Sequence, residues 1–283
     1  MANISATDVK TLREKTGAGM MDCKNALVET GGDFDKAEKL LKEKGLAAVE
    51  KRSGRSTNEG KIFIKIENKT AVLVELVSET DFVARDPGFI ELGNKIAALA
   101  LEKGYIEPND ELNGMVSELA TKIRENMGLK RMKLLKADAS DILTSYIHGE
   151  GAMGVVVKLG SDKAEALASE EAKTLAFDLA LHIAAFNPLA LDRSKVDQGF
   201  LKEQEEIYRK QMEQDEALRG KPANVFDNIL KGKINKYLKD ICLMDQGFVK
   251  DEKFTVAQIL AETGKKLGAV LSVKDYVYFK VGE

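Results

Sequence analysis

The sequence predicts an α+β fold, and three observations indicate this class. Apolar residues recur at helical spacing through the first 50 residues, which predicts short helices. From Lys61 the spacing changes to the two-residue alternation of strands, in "KIFIKIENKTAVLVELV". A pattern of strand, turn, strand and apolar helix then occurs twice, which favours a two-part core of antiparallel sheets covered by helices. A chain of 283 residues is long enough for more than one domain.

The composition argues against several classes of protein. The formal net charge is -3, so the chain has no broad attraction to phosphate backbones and we expect no direct contact with nucleic acid. Its two cysteines, Cys23 and Cys242, are far apart and predict neither a disulfide framework nor a metal site. The N-terminus lacks the apolar region of a secretory signal, and no apolar run could span a bilayer. We expect a cytoplasmic protein that does not bind membranes.

A compact module of three helices is predicted for residues 1–54. The glycine-rich stretch "TGAGMM" separates the first two helices, and Gly31-Gly32 ends the second. Asp33 can cap the third helix, which we expect to end near Gly45. The stretch "EKRSGRSTNEGK" that follows lacks apolar residues and is predicted to be a linker.

The core is predicted to contain two diverged copies of one β-β-α unit. Residues 154–159 (GVVVKL) align with residues 71–76 (AVLVEL) at an offset of 83, and the apolar helices that follow also align. In the first copy, Asn68-Lys69 is expected to turn a β-hairpin, and Asp86-Pro87 to begin a helix. The two core subdomains are then residues 55–140, and residues 141–191 together with 241–263.

The remaining segments are predicted to be a helical hairpin and a C-terminal module. Residues 192–240 are very polar outside one apolar stripe, which is typical of two helices that project as an antiparallel hairpin, with a break at Lys221-Pro222. Residues 264–283 end in the strand pattern "AVLSVKDYVYFKVG", which we expect to return to the sheet.

Candidate catalytic residues are few. The chain has two histidines, of which His182 lies in an apolar helical run and is expected to be structural. His148 lies before Gly149 in a turn and is expected to be exposed. No nucleophile beside a base and no glycine-rich nucleotide-binding motif is apparent, so we expect no cofactor and no resident metal.

Two short stretches are candidates for contact with another protein. Met20 and Met21 follow a glycine-rich turn, where consecutive side chains cannot both face one core, and methionine suits an adaptable contact surface. The alternative is that one of them is buried. Phe82 lies on the connection between a strand and a helix, beside Asp81. It either packs back against the following helix or is held outward, where it could enter a pocket of a partner.

Three long motifs resemble those of one known family. They are "TGAGMMDCKNAL" from Thr16, "TDFVARDPGF" from Thr80 and "KPANVFDNILKGKINKYLKDICLMDQGFV" from Lys221. Present together and in this order, they resemble bacterial translation elongation factor Ts, the guanine-nucleotide exchange factor for elongation factor Tu. The resemblance extends through essentially the whole chain.

The resemblance implies the architecture and the activity. It implies an N-terminal module similar to a ubiquitin-associated (UBA) domain, a two-part α+β core, an antiparallel coiled-coil hairpin and a C-terminal module. It also implies an exchange factor without covalent chemistry, not an enzyme, with the GTPase elongation factor Tu as its partner. The oligomeric state stays open, with a homodimer or a 2:2 complex among the alternatives.

The resemblance also implies which residues meet the partner. In the family, the motif at Thr80, Asp81, Phe82 and Val83 presses into the GTPase domain beside the nucleotide and disturbs bound Mg²⁺. The other positions that match family contact residues are Arg13, Met20, Met21, Ile123 and His148. The chain departs from the family pattern nearby, with Arg124 in place of the usual Gly, Met153 in place of a polar residue and Gly247 in place of Pro.

Other functions remain as alternatives at this stage. The chain could be a binding module in which residues 1–54 recruit a different protein and the core is a scaffold. It could be a scaffold or chaperone-like partner of the same GTPase without exchange activity. An enzyme that uses His148 is the least favoured, because no second catalytic group can be named beside it.

Overall fold

The computed structural model describes residues 4–215, Leu218 and 222–283, which form two compact units. Unit 1 contains the described residues up to 136, with 147–154 and 279–283, and unit 2 contains the rest. Helices alternate with small sheets in both units, which confirms the α+β class. Among the helices of these residues, none has the length and apolar character that crossing a bilayer requires.

Unit 1 begins with three helices around a small apolar core. Ser5 caps the first helix and exchanges hydrogen bonds with Asp8, and Asp33 caps the third as predicted. The third helix does not end near Gly45, so that prediction is wrong. The helices are α1 (Ala6–Thr16), α2 (Met20–Glu29) and α3 (Phe34–Arg52), and their core is formed by Val9, Leu12, Cys23, Ala26, Leu27, Ala37 and Leu41.

A three-stranded antiparallel sheet follows, with the order β1-β2-β3. Asn68 and Lys69 turn the predicted hairpin, with φ of 47° and 60° that match a tight turn of the kind hairpins favour. The central strand β2 is buried along nearly its whole length, as its continuous apolar run suggests. The strands are β1 (Glu59–Glu67), β2 (Thr70–Ser78) and β3 (Met127–Lys136).

Three helices cover this sheet. Asp86 caps the longest of them, as predicted, by accepting hydrogen bonds from the amides of Gly88 and Phe89. Phe89 and Ile96 from that helix are fully buried beside Phe63, Val74 and Leu76 of the sheet. The helices are α4 (Asp81–Ala84), α5 (Pro87–Lys103) and α6 (Asp110–Ile123).

Unit 2 is built around a second three-stranded sheet, with the order β4-β5-β8. Its central strand β5 aligns in sequence with β2, the central strand of the first sheet, as the predicted repeat requires. The last strand of the chain joins this sheet, which confirms that prediction. The elements are β4 (Asp141–His148), β5 (Met153–Ser161), α7 (Glu170–Phe186), α8 (Gln198–Gln214), α9 (Ala223–Ile241), the two-stranded pair β6 (Gly247–Phe248) and β7 (Asp251–Thr255), α10 (Val256–Leu267) and β8 (Leu271–Lys280).

The polar segment between residues 192 and 240 forms the helices α8 and α9. The rings of Phe200 and Tyr208 in α8 lie 6.3 and 6.2 Å from the ring of Tyr237 in α9. The beginning of α8 therefore contacts the end of α9, as expected for antiparallel helices. Pro222 precedes α9, whereas Lys221, the other half of the predicted break, lies outside the described residues. That this pair is a coiled coil stays a prediction.

His182 is a buried structural residue of α7, as its apolar surroundings predict. Its Nδ1 accepts a hydrogen bond from the amide of Val249 at 3.1 Å, so Nε2 carries the proton and donates to Gln246 Oε1 at 2.9 Å. The ring stacks on those of Phe186 and Phe248. Burial lowers the pKa of His182 below its ordinary value, against a smaller opposing effect of the bond to Gln246.

Candidate functional site

The single helical turn α4 holds Phe82 outward. Successive residues of a helix point about 100° apart, so a four-residue turn has one inner and one outer side. Val83 and Ala84 lie on the inner side, 8% and 5% exposed, in the core of unit 1. Phe82 lies on the outer side and is 81% exposed. The alternative in which Phe82 packs back against the following helix is therefore wrong.

The turn is fixed at both ends. Thr80 caps it, since its hydroxyl accepts the amide of Val83 at 3.4 Å. At the other end the amide of Asp86 donates to the carbonyl of Val83 at 3.0 Å. On the outer side Asp81 pairs with Arg85 at 3.4 Å, and because both side chains are exposed, this ion pair contributes little to stability. Phe82 thus projects from a short element that is hydrogen-bonded at both ends.

Two glutamates bind the base of the turn to the connection between α6 and β3. The carboxylate of Glu125 accepts hydrogen bonds from both the amide and the hydroxyl of Thr80, at 3.1 and 2.8 Å. In the opposite direction, the carboxylate of Glu79 accepts the amide of Asn126 at 2.6 Å. These three hydrogen bonds involve charged acceptors, which makes them stronger than bonds between neutral groups.

The N-terminal module presents its own exposed apolar surface. Met20 and Met21 are the first two residues of α2, and they are 47% and 62% exposed. Neither is buried in the core of the module, which excludes the alternative of one buried methionine. Arg13 is also exposed, in the last turn of α1 just before the glycine-rich turn.

The module is joined to the same connection by Arg124. Its guanidinium donates to the carboxylate of Asp22, the third residue of α2, at 2.7 Å. The guanidinium also lies over the backbone of Gly19, where a Cβ atom would come within 2.6 Å of its Nη2. Arg124 and Glu125 are neighbours in sequence, so the contact to the start of α2 and the contact to the Phe82 turn come from adjacent residues.

Comparison with known proteins identifies the family. The family model for elongation factor Ts matches residues 79–283 of the chain. Curated proteins named elongation factor Ts are 49% identical over 280 residues in Treponema denticola and 42% identical over 290 residues in Treponema pallidum, each match covering 99% of both chains. One from Clostridium acetobutylicum is 40% identical over 293 residues, or 99% of this chain and 93% of that protein.

The chain belongs to the elongation factor Ts family. This membership gives it a role in translation elongation. The two candidate contact stretches, Met20-Met21 and the turn at Phe82, are thus exposed surfaces of a member of this family.

The two remaining positions that match family contact residues, Ile123 and His148, differ in their exposure. Ile123 is the last residue of α6 and packs, half buried, against the core of unit 1, one residue before the Arg124 contact to the module. His148 is exposed at the end of β4, before a tight loop in which Gly149, Glu150 and Gly151 all have positive φ. No group of side chains able to hold a metal ion occurs in the parts of the chain that the structure describes.

The residues that support the turn carry no pattern by which the sequence would reveal them. Glu79, Glu125 and Asn126 lie in connections without hydrophobic periodicity, so no pattern marks them. The available signal is compositional, since three polar residues, "REN" (124–126), follow directly on the amphipathic helix α6. Only the pairing of β2 with β3, which ends at Ser78 and Met127, brings these two connections side by side.

Proposed function

We propose that the chain binds elongation factor Tu in its GDP-bound form and promotes release of GDP. In this proposal Phe82 enters the GTPase domain beside the nucleotide, while Arg13, Met20 and Met21 hold that domain through the N-terminal module. Ile123 and His148 contribute further contacts from the core. The observation that carries the proposal is the exposed ring of Phe82 on a turn fixed at both ends.

The physical basis is the coordination of Mg²⁺ in the partner. Magnesium demands near-ideal octahedral geometry and is held through a few protein groups, phosphate oxygens and waters, so a small displacement of its surroundings costs much of its affinity. Once the ion leaves, the diphosphate charge of GDP is less neutralised and GDP dissociates faster. Docking one aromatic ring contributes about 1.5–3 kcal/mol, enough for such a displacement.

The proposed exchange needs no covalent step. GDP and this chain both bind the GTPase, and each weakens the binding of the other. If this chain weakens GDP binding by some factor, GDP weakens binding of the chain by the same factor. An incoming nucleotide then expels the chain and completes the cycle. Asp81 either holds the turn in place by hydrogen bonding or competes electrostatically around the ion.

A fluorescent-GDP release assay tests the proposal. Purified elongation factor Tu is loaded with fluorescent GDP and chased with unlabelled GDP, with and without this chain, over a range of Mg²⁺ concentrations. We expect strong acceleration at millimolar Mg²⁺ and progressively less as chelation removes the ion from the partner beforehand. Binding without acceleration would instead support a scaffold or chaperone-like partner of the same GTPase.

A further inference from the structure

We infer that Glu125 is a positioning residue that holds the Phe82 turn in the orientation needed for exchange. The inference rests on the proposed function and adds to it a residue outside the turn itself. Glu125 belongs to residues 124–126, which we call the α6–β3 connector. Its side chain binds Thr80, the residue from which the turn starts.

Glu125 binds both hydrogen-bond donors of Thr80, its backbone amide and its hydroxyl. An ionised carboxylate only accepts hydrogen bonds, so each oxygen of Glu125 must find a donor, and each finds one on Thr80. Because the hydroxyl proton of Thr80 points to Glu125, a lone pair of the same oxygen is free to accept the amide of Val83. The cap that starts α4 is thus oriented by Glu125, and Phe82 lies two residues after Thr80.

The connector is itself anchored on three sides, which makes it a suitable support. The side chain of Asn126, 8% exposed, donates to the carbonyls of Ser53 and Arg55 at 3.2 and 2.7 Å. The backbone amide of Asn126 donates to the carboxylate of Glu79, which in turn pairs with Arg55. Arg124 binds Asp22 of the N-terminal module, as described above. The connector is thus held by the residues after α3, by Glu79 at the end of β2 and by the N-terminal module. Glu125, which belongs to it, therefore offers Thr80 acceptors in a defined position.

Substitution of Glu125 in the full chain tests the inference with two readouts. The variants are Glu125→Ala, which removes both acceptors, and Glu125→Gln, which keeps the shape but places an amide NH₂ against one donor. Glu102→Ala, at an exposed glutamate of α5, is the matched control. The first readout is hydrogen exchange of the Thr80 and Val83 amides in the free protein, measured by NMR. The second is GDP release from elongation factor Tu, with affinity and maximal rate determined separately.

We expect amide exchange at Thr80 to rise about tenfold or more in Glu125→Ala, since the lost bond has a charged acceptor, and less in Glu125→Gln. The maximal rate of GDP release should fall severalfold, while the affinity for the GTPase, which also depends on Met20 and Met21, changes less. Glu102→Ala should match the wild type in both readouts.

Two results would overturn the inference. One is unchanged exchange of the Thr80 and Val83 amides in both Glu125 variants, and the other is faster exchange with an unchanged maximal rate of GDP release. If the wild-type chain itself fails to accelerate GDP release, the proposed function is wrong, and the amide readout alone still decides whether Glu125 holds the turn.

Discussion

Phe82 and His182 are aromatic side chains in opposite environments, and their surroundings explain what each one does. Phe82 adds nothing visible to the core, because its ring is mostly in water while its neighbours Val83 and Ala84 supply the packing of the turn. His182 is fully buried, with both ring nitrogens hydrogen-bonded and two rings stacked on it. Of these two side chains, Phe82 is therefore the one that a partner can contact.

The burial of His182 predicts a pH-dependent stability. Its pKa in the folded chain is lowered from 6.5, so the unfolded chain binds a proton more readily. Stability from this residue is complete above pH 6.5 and declines as the pH falls below it. Between pH 7.5 and 5.5, the free energy of unfolding should fall by up to about 1 kcal/mol more in the wild type than in His182→Gln, measured by urea unfolding.

The second histidine supplies the control for that measurement. His148, the only other histidine, is exposed at the end of β4. His148→Gln leaves the buried ring in place and should therefore retain the part of the pH dependence that His182 supplies. Equal pH dependence in wild type and His182→Gln would show that the buried ring does not resist protonation.

At the scale of elements, the end of α6 combines a conformational cost with a useful contact. Arg124 adopts the left-handed conformation, φ 68°, which costs a non-glycine residue about 1–2 kcal/mol. In return it pairs with Asp22, although both side chains are more than half exposed, so the pair contributes at most about 1 kcal/mol. A glycine at this position would avoid the cost and lose the contact.

Arg124→Gly should therefore stabilise the isolated chain slightly. We expect the free energy of unfolding to rise by about 0.5–1 kcal/mol, because relief of the left-handed conformation exceeds the loss of an exposed ion pair. The free energy of unfolding is measured by urea denaturation, with circular dichroism as the signal. Gly104→Ala is the matched control, since Gly104 caps α5 with φ 69° and has open space around it, and it should destabilise by about 1 kcal/mol. A loss of stability in Arg124→Gly would mean that the contact with Asp22 matters more than its exposure suggests.

Elements were predictable from sequence where local chemistry determines them. Asn68-Lys69 and Asp86-Pro87 specify a turn and a helix start by their own backbone preferences, and both are found as predicted. The prediction that α3 ends near Gly45 is wrong because the role of this glycine is not local. A Cβ there would lie 2.3 Å from Thr121 Cγ2, so the glycine allows α3 and α6 to approach closely.

Strand β3 and the site geometry could not be predicted for a related reason. Residues 127–136 carry four basic side chains, and a bulge opposite Glu75 and Leu76 interrupts their alternation. The stretch "TDFV" was identifiable as unusual, but apolar pattern alone does not tell whether Phe82 faces inward. That depends on Val83 and Ala84 filling the core, which is a property of the packed unit.

At the scale of unit 1, one buried carboxylate joins distant parts of the chain. Glu75 on the central strand β2 is fully buried and accepts hydrogen bonds from Arg131 Nε and the amide of Gly282, 207 residues away. Lys130 lies 3.5 Å from the same carboxylate. The guanidinium of Arg131 also stacks over Phe279, 4.4 Å from the ring centroid. The end of the chain is thus fastened beside the sheet that leads into the Phe82 turn.

Removal of this carboxylate should destabilise unit 1. Glu75→Ala is expected to lower the free energy of unfolding by about 2–3 kcal/mol, since it removes charge-assisted bonds and leaves Arg131 Nε and the Gly282 amide without this acceptor. Urea unfolding measures the change, and the exposed Glu102→Ala should shift it by less than about 0.5 kcal/mol. An equally small effect of Glu75→Ala would show that solvent replaces the lost contacts.

At the scale of the molecule and its partner, the central claim is that Phe82 drives GDP release. The most direct test is the maximal rate of fluorescent-GDP release from elongation factor Tu in the presence of Phe82→Ala. Measured at saturating concentrations of the chain, the rate excludes differences in affinity. Loss of about 1.5–3 kcal/mol of apolar contact predicts a rate about tenfold or more below that of the wild type, while Phe254→Ala, at another exposed phenylalanine, matches the wild type. A Phe82→Ala variant that binds, saturates and releases GDP as fast as the wild type would contradict the account.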